Sequence, residues 1–191
     1  MAVLEIFVCV GIVLIVGLIA LVIGLYNSII TLLQRVENAW SQIDVQLKKR
    51  FDLVPNLVET VKGYAKHESG TFEKVTQARA AVAQAGSVED KINANNMLTG
   101  ALKTLFAVTE AYPDLKANQN FLSLQEQLTG IEEKIAYARQ FYNDSVMEFN
   151  TTIMKVPAVF IANMFGFKQK PYYEVEGEEK EAIKKAPTVK F

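Results

Sequence analysis

Any chemistry in this chain would have to come from a short list of side chains. His67 is the single histidine and Cys9 the single cysteine among 191 residues. A zinc centre takes several Cys, His or carboxylate ligands at close spacing. Cys9 lies inside an apolar run and reads as a plain apolar position, so zinc is excluded. Helical bundles hold di-iron through Glu-x-x-His pairs, and the residue three before His67 is Tyr64. A carboxylate-only site from Glu126, Glu132, Glu133, Asp144 or Glu148 is conceivable. Those positions fall mostly off the apolar seam of their helix, and they read as a solvated face.

Nucleophilic and phosphate chemistry fare no better. His67 has no Ser or Cys partner that the sequence positions for it. Its setting, Tyr64-Ala65-Lys66-His67-Glu68, reads as a helix C-terminus, where a basic side chain suits the dipole. The ten glycines are scattered, three of them in the apolar run, and form no phosphate loop. Lys48-Lys49-Arg50 is a basic cluster flanked by Asp44, Asp52 and Glu59, and it reads as a solvated or bundle-edge face. A net charge of −1 gives no electrostatic case for nucleic acid. The sequence therefore predicts no catalytic, cofactor-binding or metal-ligating residue, and no enzyme.

The elements that would position these residues are helices. Residues 6–25 form twenty positions without a charge, amide or hydroxyl, roughly 30 Å of helix, the thickness of a bilayer's hydrocarbon core. The stretch before them has no Lys or Arg and contains Glu5, and no small-residue processing site follows, so a retained anchor over residues 1–26 is predicted. Beyond it Ile29, Leu33, Val36, Trp40, Ile43, Leu47, Phe51 and Val54 recur in steps of four and three, a heptad seam. Pro55 is predicted to kink this helix and Ser69-Gly70 to stop it. Trp40, on the seam, is predicted to pack in the core.

Residues 71–111 form the next predicted rod, interrupted at Gly86-Ser87, with Ser87 as N-cap and Glu89 and Asp90 in the first turn. Tyr112-Pro113-Asp114 reads as a turn. The last long helix, residues 117–155, carries a seam of Phe121, Leu124, Leu128, Ile131, Ile135, Ala138, Tyr142, Val146, Phe149 and Ile153. The fold class is all-α: one N-terminal transmembrane helix continuing into an antiparallel up-and-down bundle of four-helix type with one short or broken helix. Three stretches, 27–68, 71–111 and 117–155, each span on the order of 60 Å. As three rods they would leave the apolar segment after Pro157 at the end away from the lipid. Val159, Phe160, Met164, Phe165 and Phe167 are then expected to cap that end, or to meet a neighbouring copy there, near Val61 and Tyr64. Residues 168–191, rich in Glu and Lys, read as a charged flexible tail.

One stretch also resembles a known family. The run from Ala39 through Ala65, with Trp40, Asp44, Leu53, Val54, Pro55, Asn56 and Leu57, is similar to the signature of the LemA family of bacterial membrane proteins. Ala111 through Asn118, Ala138 through Asp144, and Phe165-Gly166-Phe167 resemble it too. The resemblance implies a helical bundle over residues 27–167 behind one membrane helix, in the bacterial cell membrane. It carries over no catalytic residue. Asn56, Asn118, Asn143 and Asp44 belong to these motifs; a shared surface, helix caps and inter-helix hydrogen bonds are the three readings open to them.

The expected function is a non-enzymatic, membrane-anchored helical scaffold that self-associates. The lipid bilayer, through residues 6–25, and further copies of the chain are its expected partners. The alternative is an accessory subunit of a membrane proteolysis or envelope-stress system, with a membrane protease or another protein as partner. Arg35, Lys48, Lys49 and Arg50 follow the apolar run, and the positive-inside rule places the C-terminal domain in the cytoplasm.

Overall fold

The structure, a computed structural model, describes residues 1–174. Six helices follow in order: α1 Ala2–Lys62, α2 Ser69–Gln84, α3 Val88–Thr109, α4 Pro113–Lys116, α5 Gln119–Met154 and α6 Ala158–Phe165. No strand occurs among the described residues. The chain forms two compact units. One comprises Met1–Ser41 with Gln140–Tyr172; the other comprises Gln42–Arg139 with Tyr173 and Glu174 among the described residues.

The second unit is a four-helix bundle. Arg79 of α2 lies over Phe51 and Lys62 lies over Phe72, so α2 runs antiparallel to α1. Along α3, Lys91 meets Asp44 and Asn95 meets Arg50, so α3 runs parallel to α1. Glu132 reaches Arg50 and Asn118 reaches Tyr64, so α5 descends again. Val54, Leu57, Leu98, Leu105, Leu115 and Phe121 form the centre of its core and are almost fully buried. Each such side chain contributes about 1.5–3 kcal/mol relative to leaving it in water.

The three-rod expectation is corrected here. Residues 71–111 do not form one interrupted rod; α2 and α3 pack against each other as a hairpin. Two extended residues make the reversal, Ala85 at ψ 118° and Ser87 at ψ 165°. Ser87 is the predicted N-cap of α3. Its hydroxyl accepts from the Asp90 N–H at 3.0 Å, and the Asp90 carboxylate accepts from the Ser87 hydroxyl at 2.6 Å and from its N–H at 3.1 Å. The hydroxyl, and then the backbone N–H, hold the Asp90 carboxyl below its ordinary 3.8. A depressed carboxyl contributes its stabilisation above the ordinary value and loses it as pH falls through the depressed one.

Helix α1 ends at Lys62, earlier than Ser69-Gly70, and those two residues begin α2. Tyr64 and Ala65 take turn hydrogen bonds back to the Val61 carbonyl at 3.0 and 2.9 Å. Asn118 caps α5: its side-chain oxygen accepts from the Asn120 and Phe121 N–H groups at 2.9 and 3.1 Å.

In the first unit α1 and α5 lie antiparallel: Arg35 bonds Glu148 at 2.6 Å and Trp40 stands edge-on to Tyr142 at 5.6 Å. Trp40 is half-buried and covers Tyr142, which is the buried ring. The sequence seams hold: along α5, Phe121, Leu128, Ile131, Ile135, Tyr142, Val146, Phe149 and Ile153 are all buried. The segment after Pro157 forms α6, and its Phe165 ring lies 4.7 Å from Tyr26. The expected placement near Val61 and Tyr64 is therefore wrong. Within this unit α5 runs back along α1, and α6 follows it at the end of the apolar run.

Residues 168–171 continue this unit. Asn150, buried, donates to the Lys170 carbonyl and accepts from its N–H at 2.9 and 2.8 Å, and the Tyr142 hydroxyl donates to the Pro171 carbonyl at 2.9 Å. Burial holds the Tyr142 phenol above its ordinary value. Tyr173 is buried in the other unit. Residues 175–191, the remainder of the expected tail, lie outside the described residues.

Pro55 sits inside α1. Without an N–H it leaves the Phe51 carbonyl short of its intrahelical donor. The Arg79 Nε–H donates to that carbonyl at 3.4 Å, and its guanidinium lies 4.0 Å from the Phe51 ring centre. Arg79→Ala is expected to cost about 1–2 kcal/mol. Pro55→Ala restores the missing donor, so the same change should cost less in that background. A double-mutant cycle by urea denaturation checks this; equal costs in both backgrounds would show that Arg79 does not serve the orphaned carbonyl.

Candidate functional site: a buried arginine node

Arg50 differs from its neighbours in the basic cluster. Lys48 and Lys49 are exposed, whereas the Arg50 side chain is 1% exposed. The expectation of a solvated or bundle-edge face is thus corrected for Arg50. The reason is its register. Steps of three and four from Leu47 through Arg50 to Val54 keep it on the buried stripe of α1.

A buried guanidinium must be given acceptors, because desolvating it without them costs several kcal/mol. Two helices converge on α1 to supply them. From α5, the Glu132 carboxylate accepts from Nη1 at 2.5 Å. From α3, Thr99 Oγ1 accepts from Nη1 at 2.8 Å, and Asn95 Oδ1 accepts from Nη2 at 2.9 Å. The Asn95 carbonyl accepts a further, longer bond at 3.3 Å. These partners are themselves fixed. Asn95 donates its amide to the Lys91 carbonyl at 2.8 Å, and Thr99 donates its hydroxyl to the Asn95 carbonyl at 3.0 Å. Tyr173 lies close by: burial holds its phenol above the ordinary value, against the opposing charges of Arg50 and Arg139.

This arrangement ties α1, α3 and α5 together, and it leaves the Arg50 Nε–H buried without an acceptor. Lys91 and Asp44 add an ion pair between α3 and α1 at 2.9 Å. Both ends of that pair are part-exposed, so it contributes little. Of the carboxylates weighed as a metal site, Glu132 is taken by Arg50 and Glu148 by Arg35, while Glu126, Glu133 and Asp144 are exposed. Among the described residues, no three of His, Cys, Asp and Glu gather closely enough to hold a metal. His67 and Cys9 are exposed. Sequence reasoning missed Arg50 and its partners. The available signal was a cation on the 47–50–54 stripe, with Asn95 and Thr99 four residues apart on a second helix.

Replacing Arg50 by Ala leaves a cavity and strands Asn95 Oδ1, at an expected cost of about 3–5 kcal/mol. Glu132 is 40% exposed, so water replaces part of its lost bond, and Glu132→Gln should cost about 1 kcal/mol. Urea melts followed by circular dichroism check this order. An unchanged midpoint for Arg50→Ala would place the side chain outside the core.

Helix α1 carries the one stretch, among the described residues, long and apolar enough to cross a membrane. The chain is 25% identical over 186 residues to magnetosome protein MamQ 2 of Paramagnetospirillum magneticum, covering 84% of this chain and 68% of that one. It is 25% identical over 174 residues to MamQ of Magnetospirillum gryphiswaldense, covering 78% and 64%. It is 28% identical over 136 residues to protein LemA of Metamycoplasma hominis, covering 69% and 60%. The sequence model of the LemA family matches residues 39–191, which take in Arg50, Asn95, Thr99 and Glu132. This chain belongs to the LemA family.

Proposed function

We propose that this membrane-associated helical protein is a non-enzymatic scaffold: residues 6–25 cross the bilayer, and the helices behind them form an interaction module that associates with further copies of itself. The use made of the buried polar groups carries this reading. Arg50, Asn95, Thr109, Ser145 and Asn150 are the buried polar side chains among the described residues. Arg50 and Asn95 join helices, Thr109 and Ser145 bond back to carbonyls of their own helices, and Asn150 holds the Lys170 segment. Burial is thus used for structure. The apolar side chains of the crossing stretch are outward: Leu14, Leu18 and Leu21 are 68, 62 and 51% exposed, as lipid-facing residues must be. Tyr137 and Met147 on α5 are 75 and 54% exposed, surface that another copy would cover. The relatives' names mention a magnetosome protein and LemA, and neither names a reaction.

The exposed cations Arg35, Lys48 and Lys49 after the crossing stretch favour a cytoplasmic bundle. Labelling of a cysteine placed at Lys74 by a membrane-impermeant reagent on intact cells would contradict that side. Self-association is tested by the mass of the full chain purified in mild detergent at micromolar concentration. A multiple of the chain mass is expected. A monomer that co-purifies with a membrane protease would overturn the reading and favour an accessory subunit of a proteolysis or stress system.

A further inference from the structure

Helix α6 has two unlike faces. Ala158, Ile161 and Ala162 are buried against the rest of their unit, whereas Phe160, Met164 and Phe165 are 67, 65 and 52% exposed. Phe160 and Met164 are one turn apart and share a face. Such large apolar side chains, clustered and bare, mark a surface that meets something apolar. The position of the helix says what that is. Phe165 and Phe167 lie 4.7 and 6.0 Å from the ring of Tyr26, and Tyr26 directly follows the apolar run of residues 6–25. Aromatic residues at the end of such a run sit at headgroup level. The contact therefore places α6 at the same level.

The hairpin geometry at its end keeps it there. Gly166 adopts φ +73°, a left-handed conformation that a glycine takes without penalty. The Phe167 N–H then closes onto the Ala162 carbonyl at 2.9 Å. This turns Phe167 back beside Tyr26. Lys155 before α6 and Lys168 after it are both exposed. Cations at the ends of an apolar segment suit a surface of lipid phosphates, to which their long stems reach. Eight residues make roughly 12 Å of helix, far too short to cross a bilayer. We infer that α6 is a second membrane contact, lying in the lipid interface with Phe160, Met164 and Phe165 immersed at the boundary between headgroups and acyl chains. The inference rests on the reading of residues 6–25 as a bilayer crossing. On this account α1 enters the bilayer and α6 lies along its surface, so the end of α5 is fixed to the membrane as well.

The full chain, with Cys9→Ser and single cysteines at Gly17, Thr104, Phe160 or Met164, is labelled with an environment-sensitive fluorophore. It is reconstituted into vesicles of phosphatidylcholine and phosphatidylglycerol. Quenching is compared between lipids spin-labelled at shallow or deep acyl positions and aqueous iodide. The inference expects Phe160→Cys and Met164→Cys to be quenched chiefly by the shallow lipid label, Gly17→Cys by the deep one, and Thr104→Cys by iodide alone. Iodide quenching at both α6 sites, with Gly17→Cys still quenched by lipid, overturns the inference and leaves the crossing intact. Protection of both α6 sites from every quencher also overturns it, and assigns the face to a second copy. Loss of lipid quenching at Gly17→Cys removes the crossing itself, and the α6 contact with it.

Discussion

A guanidinium held at 1% exposure inside a bundle sets the terms for everything around it. Arg50 is accepted only where Asn95 and Thr99 of α3 and Glu132 of α5 meet it. Those helices must both lie beside α1 at that level, and α3 must run in a direction that presents Asn95 and Thr99 on one face. The chain meets this demand by reversing at Ala85-Gly86-Ser87. If the reversal were absent, α2 and α3 would form one rod, and the number of helical passes would fall from four to three. The ion pair also selects among packings. Apolar seams fit together in several registers, whereas a fork of donors matched to fixed acceptors fits in one.

Much of this fold can be read from residue spacing. Ile43, Leu47, Val54 and the α5 positions Phe121 to Ile153 repeat at three and four, and burial follows them. The Ser87-Asp90 cap also follows from residue type, since a short hydroxyl three before a carboxylate satisfies both orphan donors. Direction after the cap is another matter. A capped start is compatible with a kink and with a reversal, and nothing in Gly86-Ser87 separates them. The near-equal lengths of the three stretches made three rods look natural. Arg50 was hidden differently: its neighbours Lys48 and Lys49 are surface cations, and residue type outweighed register. The Arg79 bond to the Phe51 carbonyl needs α2 to fold back on α1, so it follows from the reversal as well.

The division of polar and apolar groups connects this structure to function. Among the buried polar side chains, Arg50 and Asn95 bond to each other across helices, and Thr109, Ser145 and Asn150 bond to backbone carbonyls. Outward, the apolar surface concentrates in residues 6–25 and on α6. On the proposed reading, the protein's specificity lies in its surfaces and in its attachment to lipid. Tyr26 joins the two apolar regions, because its ring contacts Phe165 and Phe167 where the apolar run ends.

The reversal that serves Arg50 can be measured as a distance. Glu68 and Tyr112 meet at 3.4 Å because α2 and α3 fold as a hairpin that brings both ends of the pair to one corner. Spin labels on the exposed residues Lys66 and Ala111 of the full chain, with Cys9→Ser, report that corner by pulsed electron resonance. The account predicts a short separation, at the low end of what the method reads. A separation of roughly 60 Å, the length of one uninterrupted rod of about forty residues, would contradict it.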